Sequence, residues 1–172
     1  FKMMNLKFQY RSANINEKAV KDLKNDKYDA LKIAKAKATY LSKKNKNKII
    51  ITFDTTILHM KKTIYKCHTK KCCKNTLKSF NNTSHNLYTG MVFMINSSLI
   101  RSSLTKTKIV FKKNKIIDVN KYVERYFNQI SSAVGCYNVE GKGKTFFKNI
   151  ETSYFNVIGV DIINFLKILK SI

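Results

Sequence analysis

Apolar positions recur at helical spacing between residues 16 and 44: Val20, Leu23, Leu31, Ala34, Ala38 and Leu41, with lysines filling most of the rest. That period predicts a long amphipathic, charged helix. The run KKNKNK, residues 43 to 48, ends it as a solvated linker. From Lys48 the pattern changes to KIIITFD and TTILHMKK, two short β-branched runs that predict an antiparallel strand pair. Residues 66 to 89 are polar, rich in Lys and Asn and interrupted by cysteines, and predict a long loop or insertion. YTGMVFMINSS predicts a third strand, and LIRSSLTKTKIVFKKNK a basic, hydroxyl-rich connection.

The next segment, IIDVNKYVERYFNQISSAV, places Ile117, Tyr122 or Val123, Tyr126 or Phe127, and Ile130 on one helical face, with Gly135 as the stop residue. CYNVE follows as a short strand, GKG as a turn, KTFFKNIETSYF as a second helix and NVIGVDIINF as a last strand. The predicted fold class is therefore α/β, in the order β-β-β-α-β-α-β, with a mixed β-sheet and helices packed on it. Residues 1–47 form a basic N-terminal helical extension and linker on this prediction, and residues 48–172 the α/β domain, with a basic insertion at about 66–89.

Composition adds a partner to this outline. The chain has 172 residues, 44% of them hydrophobic, and a formal net charge of +24. Charge of one sign repels itself, so a polyanion is the natural complement: nucleic acid first, an anionic membrane surface second. No apolar stretch reaches the ~18 residues needed to span a bilayer, and no strongly apolar anchoring face accompanies the charge, so no membrane association is expected. The basic start, FKMMNLKFQYRSANIN, lacks the apolar core and small-residue processing site of a secretory signal. Pro and Trp are absent, and Arg occurs only at Arg11, Arg101 and Arg125, a bias that fits an AT-rich organellar genome. The irregularly spaced cysteines, Cys67, Cys72, Cys73 and Cys136, point to a reducing compartment.

Candidate chemistry is sparse. VEGKGKTFFKNI, residues 139 to 150, has one residue between its glycines, where a nucleotide-binding P-loop needs four and a Lys-Ser/Thr pair. Gly141 and Gly143 nevertheless allow close backbone approach, and Lys142 and Lys144 add charge for phosphate contact; a plain tight turn is the alternative. CHTKKCC offers Cys67, His68, Cys72 and Cys73, with His59 and His85 nearby. These lack the two separated ligand pairs of a structural zinc site, so free thiols are expected, with no metal and no cofactor. Cys136 is expected as a buried strand residue, and Asp54, Asp118, Glu140 and Asp161 as scattered carboxylates that give no acid–base pair. No catalytic residue is expected, and the chain is expected not to be an enzyme.

Several short segments in order resemble the small-subunit ribosomal protein eleven family over about residues 48 to 165. IITFDTTILHM, with Phe53, Asp54, Thr55, Thr56 and Ile57, is similar to the family's opening strand pair. INSSLIRSSLTKT resembles its basic loop through Arg101, Ser102 or Ser103, and Lys106, with the family's glycines replaced. GKGK resembles the turn that opens its second helix, Lys144 standing for an arginine, and NVIGVDIIN its last strand; the family's Pro-rich basic tail is missing. The resemblance implies a divergent organellar member, mitochondrial first and plastid second. It would be a structural constituent of the small ribosomal subunit that binds ribosomal RNA on the platform, beside neighbouring ribosomal proteins and near the messenger RNA exit side. The implied RNA contacts are Arg101, Lys106, Lys108, Lys112, Lys113, Gly141, Lys142, Gly143 and Lys144, with Lys61 and Lys62 secondary. A large-subunit ribosomal protein of related topology and a non-ribosomal basic nucleic-acid-binding protein are the alternatives. A ribonuclease H-like nuclease would need clustered carboxylates that the sequence does not show.

Overall fold

The computed structural model describes residues 6–20 and 26–171. Residues 1–5 of the basic start, and Leu23 of the predicted helical stripe, lie outside the described residues. Within the stretch predicted as one helix, Glu17–Ala19 is a separate 3-10 turn and α1 covers Asp29–Lys44. The entry to α1 closes reciprocally: the Tyr28 amide donates to Asp26 Oδ1 at 2.7 Å and the Asp26 amide to Asp29 Oδ2 at 3.1 Å. These bonds tie the segment just before α1 to the helix's first residue.

The sheet has five strands, β1 (Ile50–His59), β2 (Lys62–Ile64), β3 (Ser84–Ile95), β4 (Ser98–Phe111) and β5 (Phe147–Glu151), in the order β2-β1-β3-β4-β5. Every pairing is antiparallel, which corrects the predicted mixed sheet and its strand order. The physical cause lies in two tight hairpins. Met60 and Lys61 (φ 48° and 62°) join β1 to β2, and Asn96 and Ser97 (φ 47° and 65°) join β3 to β4. Two left-handed central residues match the twist of the flanking strands and hold them antiparallel. The segment predicted as a basic connection is accordingly β4, the longest strand.

Residues 66 to 89, predicted as a loop, contain α2 (Lys70–Phe80) and the start of β3. Thr69 caps α2 by accepting the Cys72 amide at 3.2 Å, and Cys73, Leu77 and Phe80 form its buried stripe. The next predicted helix is α3 (Ile116–Ile130); it buries Val119, Tyr122, Val123 and Ile130, while Ile117 is exposed. The last third departs from prediction. CYNVE is irregular, and the predicted helix KTFFKNIETSYF divides into a 3-10 turn (Lys142–Phe146), β5 and the first residues of α4 (Tyr154–Val157). The predicted last strand instead ends in α5 (Ile162–Leu169), capped by the Asp161 side chain accepting the Asn164 amide. Partners distant in sequence decide these changes: Ile150 lies opposite Ile109 of β4, and Phe165 packs on Met91 and Phe93.

Alternation along β3 sorts the helices onto two faces. Leu87 joins the core beneath α2 and α3, and Met91 and Phe93 that beneath α5. Val92 and Met94 point the other way, against Ala34 and Ala38 of α1. Gly90 makes this second contact possible, because a Cβ there would stand 2.5 Å from the backbone of Leu31. With Ala30, Ala34 and Ala38 fully buried, α1 lies directly on the sheet.

Candidate active site

The close seating of α1 brings a lysine onto the sheet. Lys37 occupies the inward stripe between Ile33 and Leu41, facing Asp54 of β1, which pairs with Gly90 across the sheet. Its Nζ lies 2.6 Å from Asp54 Oδ1 and 2.6 Å from Glu17 Oε1, the latter presented by the 3-10 turn. The side chains grade from interior to solvent, at 10% exposure for Asp54, 19% for Lys37 and 41% for Glu17. Lys66, just beyond β2, adds its positive charge to both carboxylates.

The three groups respond differently to this arrangement. Burial pushes the Asp54 carboxyl up to about 6 and outweighs the pull of Lys37; the Glu17 charge adds to the rise and Lys66 opposes it. Burial alone would lower the Lys37 ammonium, but hydrogen bonds and charge from Asp54 and Glu17 hold it above its ordinary value. Burial would raise the Glu17 carboxyl, yet the Lys37 hydrogen bond and charge, with Lys66, hold it low. The result is a nearly neutral-pH carboxyl against a firmly charged ammonium, open to solvent on the Glu17 side.

Register places further groups on this face. Thr56 lies two residues along β1 from Asp54, its buried hydroxyl without a hydrogen-bond partner. Tyr88 lies opposite Thr56, and Lys106 opposite Tyr88. Lys106 and Lys108 therefore flank the carboxylate face two strands from β1, about 10 Å away at ordinary strand spacing. On the opposite face a polar network fixes β1 from behind: Thr55 and Thr89 hydroxyls lie 3.0 Å apart, Thr89 donates to the Asn156 carbonyl at 3.2 Å, and Asn156 Nδ2 donates to Thr107 Oγ1 at 3.0 Å.

The other residues expected to bind phosphate are dispersed. Arg101 lies on the opposite face of β4 from Lys106 and Lys108, by its pairing with Phe93, and Lys112 and Lys113 follow the strand as exposed residues. Lys108 pairs with Glu151 at 3.2 Å. Lys61 sits in the β1–β2 turn and Lys62 opens β2. Lys142 and Lys144 are exposed on the 3-10 turn; the Glu140 and Gly141 amides leading into it donate to Asn138 Oδ1, and the Lys144 amide donates to the Gly141 carbonyl. A Cβ on Gly143 would lie 2.5 Å from the Asn138 carbonyl oxygen, so glycine here serves packing beneath Asn138 and Tyr122. Cys67 and Cys72, expected as free thiols, form a disulfide, because the first turn of α2 brings their Cα atoms to 5.5 Å. Cys136 is buried as expected, but in a loop rather than a strand.

A model of the Maf-like protein family matches residues 1–172. The chain belongs to the Maf-like protein family. Among relatives of this Maf-like chain is a dTTP/UTP pyrophosphatase of Clostridium botulinum (strain Okra / Type B1), 27% identical over 157 residues, which cover 89% of this chain and 80% of the relative. A dTTP/UTP pyrophosphatase of Pyrococcus furiosus is 28% identical over 158 residues, covering 92% and 81%. A 7-methyl-GTP pyrophosphatase of Brucella suis biovar 1 is 25% identical over 170 residues, covering 96% and 85%.

The ribosomal resemblance is thereby corrected, together with the ribosomal RNA, messenger RNA and ribosomal-protein partners it implied. The nucleic-acid-binding alternatives fall with it, and the expectation of a non-enzyme is overturned by relatives that are named as enzymes. The ribosomal segments had also required a helix after GKGK and a terminal strand, neither of which forms. Sequence reasoning left Glu17, Lys37 and Lys66 unmarked and counted Asp54 among scattered carboxylates. The available signal was a lysine inside an apolar helical stripe, Ile33–Lys37–Leu41, since a buried cation requires an anion opposite it.

Proposed function

We propose that this Maf-like chain is a nucleoside triphosphate pyrophosphatase, hydrolysing its substrate to a nucleoside monophosphate and pyrophosphate. The observation that carries this reading is the Glu17–Lys37–Asp54 cluster, in which burial holds a carboxyl at about 6 beside a fixed ammonium. A carboxyl near neutrality is matched to general-base work. Asp54 takes a proton from water as the water oxygen bonds to the α-phosphorus and the bond from that phosphorus to the bridging oxygen breaks. Lys37 and Lys66 stabilise charge on the phosphoryl oxygens, and Glu17 keeps Lys37 aimed at the sheet. Lys106 and Lys108, on the same face, supply cations for the outer phosphates. Glu17 and Asp54 also provide oxygen donors of the kind that holds magnesium delivered with a triphosphate.

The relatives' names support a nucleotide substrate and set the panel: dTTP, UTP and 7-methyl-GTP. Pyrophosphate release is measured with a coupled inorganic pyrophosphatase. The expected result is steady turnover of at least one of these nucleotides, lost in Asp54→Asn and Lys37→Gln proteins that remain folded. No turnover of any of them, or equal turnover in Asp54→Asn, overturns the proposal.

A further inference from the structure

A second concentration of reactive side chains lies beneath α2, on the sheet face opposite Asp54. Cys67, Cys73 and Cys136 are all buried, and their Sγ atoms lie within 4.8 Å of one another. Cys72 adjoins them through its bond to Cys67. The four sulfurs come from three places in the chain: the segment after β2, the first turn of α2, and the loop after α3. Cys136 reaches the cluster from a left-handed backbone position, φ 59°, that side-chain-bearing residues rarely adopt.

The surroundings are those of an apolar core, with Ile57, Leu77, Phe80, Val123 and Ile130 in the same packed cluster. Polar contacts are few: Thr76 Oγ1 lies 3.4 Å from Cys67 Sγ, and Cys73 Sγ donates to the Cys67 carbonyl at 3.9 Å. A lone thiolate is therefore disfavoured, and nucleophilic chemistry has little basis. Several converging sulfurs become thiolates together only around a cation.

We propose that the reduced protein binds one zinc ion between Cys67, Cys73 and Cys136, with Cys72 as the fourth ligand. An ion centred among the three buried sulfurs stands no more than about 2.8 Å from each, given their mutual spacing of 4.8 Å or less. Zinc–thiolate bonds are about 2.3 Å, so the three buried sulfurs close on the ion with movements of roughly half an ångström, while Cys72 turns in only after its bond to Cys67 is reduced. Thiolates select a soft or borderline ion over magnesium or calcium. Lys66 and Lys71, with Lys70 and Lys74 that share the single carboxylate of Glu124, leave this stretch of chain net positive, as the negative charge of a four-thiolate zinc centre requires.

The disulfide and the metal exclude one another. A dithiol reductant gives two electrons and two protons to the Cys67–Cys72 bond, becoming a disulfide itself, and zinc then displaces the protons of the four thiols. Cys67 directly follows Lys66, whose charge reaches Glu17 and Asp54, so the ion anchors a segment bordering the proposed hydrolytic site. That last link rests on the proposed function; the metal site does not.

The test is metal uptake by the full chain after reduction, read without any assay of hydrolysis. Reduced protein is dialysed against zinc, and bound metal is counted per chain. Cobalt is substituted in parallel, because thiolate-to-cobalt charge transfer reports sulfur ligation. The expected result is one ion per chain with an intense sulfur–cobalt band, both lost after disulfide formation. Cys73→Ser and Cys136→Ser are expected to weaken binding at least a hundredfold, and Cys72→Ser less. Reduced, folded wild-type protein that takes up no stoichiometric ion overturns the proposal, whether or not the buried variants fold. Undiminished uptake in folded Cys136→Ser overturns it equally.

Discussion

Replacing Asp54 with Asn separates a catalytic carboxyl from a structural ion pair, because the two roles predict opposite changes in stability. Asp54 is 10% exposed, and its carboxyl is raised from an ordinary 3.8 to about 6. Each pKa unit corresponds to about 1.4 kcal/mol, so the fold disfavours the ionised carboxylate by about 3 kcal/mol. The folded value lies above the unfolded one, so this cost is fully present above about pH 6. It is relieved as pH falls from 6 towards 4, where both states become protonated. Asn removes the cost but also removes a partner from Lys37, which keeps Glu17. The expected net effect at pH 8 is stabilisation by about 1–2 kcal/mol, a rise of a few degrees in Tm at roughly 2–4 °C per kcal/mol. The gain should shrink through pH 6 and disappear near pH 4. Nucleotide hydrolysis should fall by about 10²–10⁴, the usual contribution of a positioned acid or base. Thermal melts at pH 8, 6 and 4, with pyrophosphate release on the same samples, measure both. A loss of about 3–5 kcal/mol at pH 8, the usual result of breaking a buried ion pair, with activity retained, would refute the reasoning.

Four further outcomes follow from the same geometry. For the wild-type protein, kcat/KM should rise about tenfold per pH unit up to about pH 6 and then level, because Asp54 must be ionised to accept a proton; an acid limb flat down to pH 4 contradicts this. Lys37→Gln should leave two carboxylates facing each other, lowering kcat about a hundredfold and stability by about 1–3 kcal/mol, as read by steady-state kinetics and denaturant titration. Gly90→Ala, with its new Cβ against the Leu31 backbone, should cost about 1–3 kcal/mol in urea unfolding. Lys106→Ala should raise KM for the triphosphate about tenfold with little change in kcat, and an unchanged KM removes that residue from the substrate-binding face.

Those elements were legible whose own residues decide them. The β-branched run of β1 and the apolar stripe of α3 carry their period locally. β4 does not, because Ser, Thr and Lys occupy much of it and the turn before it, Asn96–Ser97, contains no glycine to announce a hairpin. β5 and α5 were exchanged for a helix and a strand because long-range packing overrides their local preference: Ile150 faces Ile109, and Phe165 fills the space over Met91 and Phe93. The site was hidden for a related reason. Glu17, Lys37, Asp54 and Lys66 converge only when α1 settles on Gly90, so no short motif contains them. Net charge was informative about the sign of a partner but not about its size, since +24 favours any polyanion, from a nucleoside triphosphate to a nucleic acid.

The strand order has a consequence for behaviour in a crowded solution. The sheet ends at β2, three residues long, and at β5, five residues long, while its three longest strands are internal. Of the two sequences best suited to cross-β stacking, YTGMVFMI is flanked by β1 and β4 once the chain is folded, whereas in KIIITFDTTIL only Ile57 and Leu58 gain a second neighbour and residues 50–56 pair with β3 alone. An incoming strand would meet residues 50–56 beside the three-residue β2 on one border, and the charged stretch with Arg101 and Lys106 on the other, where β5 pairs only with residues 108–111 of β4. The hazard of filament growth is thus greatest for chains whose central strands have yet to pair, and in native molecules it is confined to these partly covered edges.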